Sequence, residues 1–466
     1  MIFTQHYLGC LSHASYLIGD ETTGRAVVVD PQRDIGAYLE EAEAHGLRIE
    51  RVLETHLHAD FLSGHLELAA ATGAVISFGN GAELEFPNEP VVDGQRLDLG
   101  EVSLEIRATP GHTPESICVV VYEHTADVTP YGVLTGDTLF VGDVGRPDLL
   151  ASTGSGFDAE TLGRLLHRSL REQLLTLPDE TRVYPAHGAG SSCGKQLSNE
   201  TWSTIGDQRR SNYALQPMTE DQFVAVVNEG QPVRPHYFTF DAKRNREARG
   251  LLDEKAAPRA MDLTEVLDRI AAGAIALDAR EPADFAAGHL RGAINVGLHG
   301  RFAEWAGDVL DPYRDIVLVG DPAAAIESRV RLARIGFDRV VGYLADLIPL
   351  VADRPDLVEA SSRLTVEQLA ALIELEPNIQ LVDVRNRGEV VDGTLPGARL
   401  LPLALLVDSL DDLEPDAPVV VNCAGGYRSL VAASVLRQVG FVDVSDLIGG
   451  YGAWTAAGLR ISPAHT

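Results

Sequence analysis

The segment Thr55-His56-Leu57-His58-Ala59-Asp60-Phe61 sets two histidines and an aspartate inside one short turn, directly after the strand-like run 49–53. Neutral imidazoles and a carboxylate are borderline-to-hard metal donors, and a strand end can hold them in one fixed geometry. Three later segments supply the same chemistry in loops that follow apolar runs: Thr109-Pro110-Gly111-His112-Thr113, Leu134-Thr135-Gly136-Asp137-Thr138 and Tyr184-Pro185-Ala186-His187-Gly188. A single HxH can be a polar strand end. Four ordered pieces point to a metal site.

The order HxHxD, GH, GD, AH resembles the metallo-β-lactamase superfamily from the first residue to about Cys193. Dinuclear zinc hydrolases of that fold usually place a metal-binding histidine after the aspartate; here Phe61 stands there and cannot ligate, so a second metal site is not expected. What remains is His56, His112 and Asp137, a two-histidine, one-carboxylate face of the kind associated with non-heme Fe(II). The chain is similar in this respect to the persulfide dioxygenases. That resemblance implies one mononuclear Fe(II) per chain on these three residues, with His58, Asp60 and His187 around them, orienting ligands and holding water. The alternative reading has His58 as a ligand of a mononuclear zinc centre.

The stretch Gly136-Asp137-Thr138-Leu139-Phe140, continuing to Gly145-Arg146-Pro147-Asp148, resembles a further dioxygenase segment. There the arginine lies near the thiol carrier, so Arg146 is a candidate for steering an anionic persulfide.

Near the other end, Val419-Val420-Val421-Asn422-Cys423-Ala424-Gly425-Gly426-Tyr427-Arg428-Ser429 reads as buried strand, tight loop and helix. A cysteine after the strand and inward-turning N–H groups at a helix entrance make an anion cradle that would lower a thiol pKa. The loop resembles that of the rhodaneses, in which the matching cysteine and arginine carry sulfur transfer. Cys423 and Arg428 are then catalytic, and Ala424, Gly425, Gly426 and Tyr427 line the bound sulfur. Thr394 departs from that family, which usually has a histidine there. Cys10 and Cys118 are expected in the core, while the loop thiol Cys193, beside Lys195 and just after His187, could reach the mouth of the metal site.

Between these regions the chain repeats itself. Leu277-Asp278-Ala279-Arg280 parallels Val382-Asp383-Val384-Arg385, and Gly292 and Gly397 stand 105 apart (397 − 292), Gly336 and Gly440 104 (440 − 336). Where the second copy has its cysteine loop the first reads Gly320-Asp321-Pro322-Ala323-Ala324-Ala325, with no thiol. At 466 residues there is room for about three domains. The expected α/β multidomain architecture is an αββα metallo-β-lactamase domain over 1–250, an inactive rhodanese-like domain over 258–355 and an active rhodanese over 362–466. Boundaries are expected in the charged stretch 241–255 and at 353–362, with helices over 201–237 closing the metal domain.

A formal net charge of −30 argues against nucleic acid and against an anionic membrane as partners. No run approaches the ~20 apolar residues of a membrane span, and four scattered cysteines fit a reducing compartment. A cytoplasmic protein is expected.

Taken together the chain is similar to the persulfide dioxygenase–rhodanese fusions of bacterial sulfide detoxification. The resemblance implies Fe(II)-dependent oxidation of a low-molecular-weight thiol persulfide by O2 to sulfite, sulfur transfer giving or consuming thiosulfate, and a homo-oligomer. The rivals are a zinc-dependent, glyoxalase II-like thioester hydrolase fused to rhodanese modules and a non-catalytic persulfide sensor. The thiol carrier and the direction of sulfur flow are left open.

Overall fold

Strand alternation builds the first compact unit, which comprises Met1–Gln231 and Phe238–Glu254. In the strand His13–Asp20, every residue of which is buried, Ala14, Tyr16 and Ile18 face one core while Leu17 faces another. Arg25–Val29 divides the same way, Val27 and Val29 against Ala26 and Val28. A strand with period-2 side chains and apolar residues on both faces must be covered twice. The computed structural model, which describes residues 1–149, 156–345, 354–376 and 378–463, shows how.

A five-stranded sheet runs Ile2–Leu8, His13–Asp20, Arg25–Val29, Arg48–Leu53, Val75–Ser77 in that spatial order. A six-stranded sheet runs Ser203–Thr204, Arg182–Pro185, Gly132–Gly136, Ile117–Tyr122, Ser103–Ala108, Arg96–Asp98. Leu53, Leu104, Ile106, Val119, Val121 and Leu134 join the inward residues between the sheets. Each such side chain contributes about 1.5–3 kcal/mol when fully buried. Outside the first sheet, Tyr38 and Leu68 come from the helices Gly36–Ala44 and His65–Thr72. Outside the second, Leu162 and Leu166 belong to the helix Ala159–Arg168, and Phe223 and Val227 to Glu220–Asn228. The expected αββα layering is therefore present, and helices of the 201–237 stretch do cover the second sheet.

The units divide at Glu254 and Lys255, within the charged stretch 241–255, but Asp241, Asn245 and Arg249 are buried in the first unit, and 232–237 belongs to the second. Cys10 is only half-buried, whereas Cys118 is fully buried and burial pushes its thiol up to about 11.

The second unit holds Pro232–Tyr237 and Lys255–Thr466, both copies of the repeat. The first copy is a parallel sheet ordered Ile294–Asn295, Ile275–Asp278, Ile316–Val319, Val340–Leu344. The second repeats that order with Arg399–Leu400, Gln380–Asp383, Val419–Asn422, Val444–Leu447 and adds Ser362–Leu364 at the edge. In each copy the aspartate ending the second strand pairs with the arginine two residues on, Asp278 with Arg280 and Asp383 with Arg385. Thr394 donates from Oγ1 to Asp383 at 2.6 Å, which ties that loop to the buried ion pair without a histidine.

Candidate metal centre and thiol loop

Each predicted ligand sits just past the carboxyl end of a strand, His56 after Arg48–Leu53, His112 after Ser103–Ala108 and Asp137 after Gly132–Gly136, and the neighbouring His187 likewise follows Arg182–Pro185. The sheets thus bring four sequence-distant loops to one end of the first unit. The donor atoms of His56, His112 and Asp137 lie within 4.8 Å of one another, all buried. His112 Nε2 is 3.4 Å and His56 Nε2 3.8 Å from Asp137 Oδ2.

Hydrogen bonds fix which nitrogen of each ring carries its proton. His112 Nδ1 donates to the carbonyl of Arg146 at 2.9 Å, so its Nε2 lone pair faces the centre. His187 Nδ1 donates to the carbonyl of Ser12 at 3.2 Å with the same result. The Thr55 hydroxyl donates to Asp30 Oδ2 at 2.8 Å and so accepts from His56 Nδ1 at 2.9 Å. Burial, then the neighbouring imidazoles of His58 and His112, push His56 well below the ordinary histidine range and keep it neutral. Both Asp137 oxygens and His187 Nε2 are buried without a hydrogen-bond partner among the described residues. Orphaned acceptors converging on one point are what a cation satisfies, so these residues fit a metal.

Close packing supports the ligand loops. A Cβ on Gly145 would lie 1.9 Å from the carbonyl oxygen of Asp137 and 3.1 Å from His112 Nδ1, so only glycine permits that approach. The Asn245 amide donates to the carbonyls of His58 and Phe61 at 2.9 and 2.8 Å, and its oxygen accepts from Ser63 N–H at 2.9 Å. Glu115 accepts from Leu57 N–H at 2.9 Å.

His58 lies beside the ligands, its ring centroid 4.1 Å from that of His56, and is not among the His56, His112 and Asp137 group. Its Nε2 lies 3.1 Å from Asp30 and 3.2 Å from Glu54, and although burial opposes it, these carboxylates hold His58 well above the ordinary imidazole range. His187 Nε2 lies 3.3 Å from Asp60. Phe61 is buried with its ring centroid 4.0 Å from that of His13 and 4.4 Å from that of His58. His13 went unnoticed in the sequence because it carries no motif; both of its ring nitrogens are buried without a partner among the described residues. Asn245 was missed too, since a lone asparagine in a charged stretch has no distinguishing neighbours.

Arg146 is buried, and its guanidinium is forked onto Asp148 at 2.7 Å through both Nε and Nη2, with Nη1 donating to the Ser192 carbonyl at 3.1 Å. Its main-chain carbonyl is what touches the site. Cys193 is also buried, and its sulfur lies within 4.8 Å of donor atoms of Asp137 and His187. Burial, then Asp60 and Asp137, push that thiol well above its ordinary value.

In the second unit Val419–Asn422 delivers Cys423 to the loop, and the helix Arg428–Gln438 follows. Gly426 N–H donates to Cys423 Sγ at 3.1 Å, and the Cys423 carbonyl is taken by Tyr451 N–H at 2.7 Å. Cys423 is buried, while Ala424 and Gly425 are exposed. Arg428 is forked onto Glu389 at 2.7 and 2.6 Å. At the corresponding place in the first copy, Asp321 caps the helix Pro322–Ala333 by accepting from Ala324 N–H at 2.9 Å.

A metallo-beta-lactamase superfamily model matches residues 8–187, and a rhodanese-like domain model matches 262–346 and 365–457. The mitochondrial persulfide dioxygenase of Bos taurus is 31% identical over 239 residues, 50% of this chain and 82% of that protein. A hydroxyacylglutathione hydrolase of Methylococcus capsulatus is 35% identical over 174 residues, 37% of this chain and 60% of that protein. The crystal structure of a metallo-beta-lactamase from Staphylococcus aureus is similar over 74% of this chain and 99% of its own, with 32% identity and a TM-score of 0.68. No helix among the described residues is long and apolar enough to cross a membrane.

Proposed function

Because the chain belongs to the metallo-beta-lactamase superfamily, in the form fused to two rhodanese-like domains, we propose that it oxidises a low-molecular-weight thiol persulfide with O2 to sulfite and moves sulfane sulfur through Cys423. The observation that carries this reading is the ligand set itself: three buried donors, with both Asp137 oxygens orphaned and the Nε2 lone pairs of His56 and His112 turned inward. His56, His112 and Asp137 would hold one Fe(II), which supplies the one-electron chemistry that ground-state O2 requires. His58, committed to Asp30 and Glu54, stays outside the ligand set and braces the loop. His187 and Asp60 pair beside the ligands, at 3.3 Å. Phe61 fills the space that a second metal's histidine would take. Arg146 acts through its carbonyl, which orients His112, and adds a positive charge already shared with Asp148.

In the rhodanese loop the Cys423 thiolate attacks the outer sulfur of a persulfide, or of thiosulfate; the S–S bond breaks and the carrier thiolate, or sulfite, leaves with the electron pair. The loop N–H groups, that of Gly426 first, stabilise the persulfide anion so formed. Sulfite attacking that outer sulfur gives thiosulfate and restores the thiolate. The first copy has no nucleophile for this step. The medium is the cytoplasm, the partners are small sulfur compounds, and the assembly is a homo-oligomer.

The competing reading is a zinc-dependent thioester hydrolase, favoured by the likeness to the hydroxyacylglutathione hydrolase. It requires a second metal, for which His58, Asp60 and His187, or Asp137, His187 and Cys193, bring buried donor atoms within 4.8 Å of one another. Oxygen uptake with glutathione persulfide, set against hydrolysis of a glutathione thioester by the same preparation, separates the two. Uptake without hydrolysis is the expected outcome.

A further inference from the structure

The first copy of the repeat has no thiol at the corresponding loop, yet four of its residues converge on the thiol loop of the second, within one compact unit. Tyr427 is the fifth residue of the Cys423–Arg428 loop and directly precedes the helix. Its phenol donates to Glu281, with oxygen distances of 2.7 and 2.8 Å to the two carboxylate atoms. His299 Nδ1 meets Oε1 of the same carboxylate. Trp305 packs beside the Tyr427 ring, centroids 5.5 Å apart. A Cβ on Gly297 would lie 2.9 Å from the Tyr427 hydroxyl, so the backbone of the first copy approaches the ring as closely as glycine allows.

The placement follows from the repeat. Glu281 comes directly after Arg280, as Asn386 comes after Arg385. In the second copy Asn386 begins the short 3-10 turn Arg387–Val390, which carries the Glu389 that grips Arg428. The thiol loop is therefore held by two acidic side chains on adjacent residues, Glu389 on Arg428 from its own copy and Glu281 on Tyr427 from the other. Ala424 and Gly425, the exposed part of the loop, have no side chain long enough to make such a contact. Among the described residues, Tyr427 is the loop side chain that hydrogen-bonds to Glu281 of the first copy, while Arg428 also feels the charge of Glu304.

We propose that Glu281 is a positioning residue for sulfur transfer: by fixing Tyr427 it holds the loop N–H groups turned toward the sulfur of Cys423, and this is the work retained by the thiol-free copy. The proposal rests on the reading of Cys423 as the sulfur carrier. Burial and the Glu281 carboxylate push the Tyr427 phenol above its ordinary range, so it remains a donor at any working pH.

The test is a double-mutant cycle in the full-length protein with Glu281→Ala, Tyr427→Phe and the pair. It reads thiosulfate-to-cyanide sulfur transfer and the pH profile of Cys423 alkylation by iodoacetamide, followed on the peptide that contains it. Each single change lowers kcat/KM for transfer about tenfold, the scale of one hydrogen bond to a charged group, and the double variant is no slower than the slower single. Glu281→Gln keeps an acceptor for the phenol and recovers most of the loss. Tyr427→Phe moves the alkylation midpoint upward, because the N–H cradle slackens while the Glu281 charge is unchanged. A purely electrostatic Glu281 would act through its charge, so Glu281→Gln would match Glu281→Ala and Tyr427→Phe would leave the midpoint in place. That pattern, additive losses in the double variant, or silent single variants overturns the proposal. Cys423→Ser separates the premise from the proposal: transfer that persists in it overturns the carrier reading, whereas transfer abolished there with silent Glu281 and Tyr427 variants overturns only the positioning role.

Discussion

The side-chain amide of Asn245 donates to the main-chain carbonyl of Phe61 at 2.8 Å, so a residue about 180 positions downstream closes the turn that carries His56, His58 and Asp60. The same amide takes the His58 carbonyl. Asn245→Ala leaves both buried carbonyls unmatched, at a cost of about 1–3 kcal/mol each. The expected result is a metal held about tenfold or more less tightly, measured by competition with a chromophoric chelator, with sulfur transfer at Cys423 unchanged.

Replacing His112 or Asp137 by Ala removes one of three protein donors. Oxygen consumption with persulfide falls to background and metal is lost on dialysis, while thiosulfate-to-cyanide transfer survives. An oxygen electrode and a thiocyanate assay on the same samples check both halves. Dioxygenase activity persisting in both variants contradicts the ligand assignment.

Phe61 packs against His13 and His58, where a histidine would present a new donor beside Asp60 and His187. Titration of the parent with Zn(II) or Mn(II) gives about one tight site per chain. Phe61→His admits a second. Two tight sites in the parent protein contradict the role given to Phe61 and turn attention to His58, Asp60 and His187, or Asp137, His187 and Cys193, as donors of the second.

Much of this was legible because the informative residues sit in contiguous motifs at strand ends. His56, His112, Asp137 and His187 are far apart in sequence, yet each carries its own local pattern, and the order of those patterns identifies the fold. The tandem repeat was visible through its glycines, and the missing thiol of the first copy is a plain sequence fact. What could not be read is what long-range packing decides. Asn245 and His13 have no local signature and reach the site only through tertiary folding. The charged stretch 241–255 was expected to hold a boundary, and it does, but Arg249 within it is buried with Glu67, an arrangement that composition cannot distinguish from solvated charge. Arg146 is in sequence a candidate for steering an anionic persulfide; its ion pair with Asp148, two residues on, is seen only in the fold. The grip of Glu281 on Tyr427 joins two copies of a repeat and leaves no trace in either alone.

That buried Glu67 gives a pH prediction. Arg249 donates to it at 2.6 and 3.0 Å and Arg33 at 3.1 Å; against the opposing effect of burial, Arg249 first and then Arg33 hold its carboxyl below the ordinary glutamate value of 4.5. A depressed folded-state pKa contributes stability that is present above the unfolded value and lost as pH falls through the folded one. Glu67→Gln therefore destabilises the first unit by about 3 kcal/mol at pH 7, the scale of breaking a buried ion pair. The difference from the parent shrinks below pH 4.5. Urea unfolding of both proteins between pH 7 and pH 4 measures it.

Cys423→Ser removes the nucleophile of the thiol loop and leaves the metal ligands untouched, since a hydroxyl there stays protonated and cannot carry sulfur. Persulfide plus O2 then yields sulfite in place of thiosulfate at a largely unchanged rate of oxygen uptake. Thiosulfate formed at the parental rate would point to Cys193 as the relevant thiol, or to unaided reaction of the carrier persulfide with sulfite.

The most direct test of the central claim is metal analysis of the protein purified without added metal, combined with oxygen uptake on glutathione persulfide. One iron per chain, with uptake that disappears on chelation and returns with Fe(II) but not with Zn(II), is the result expected from His56, His112 and Asp137 as the only ligands. Two zinc ions per chain with no oxygen uptake would contradict it.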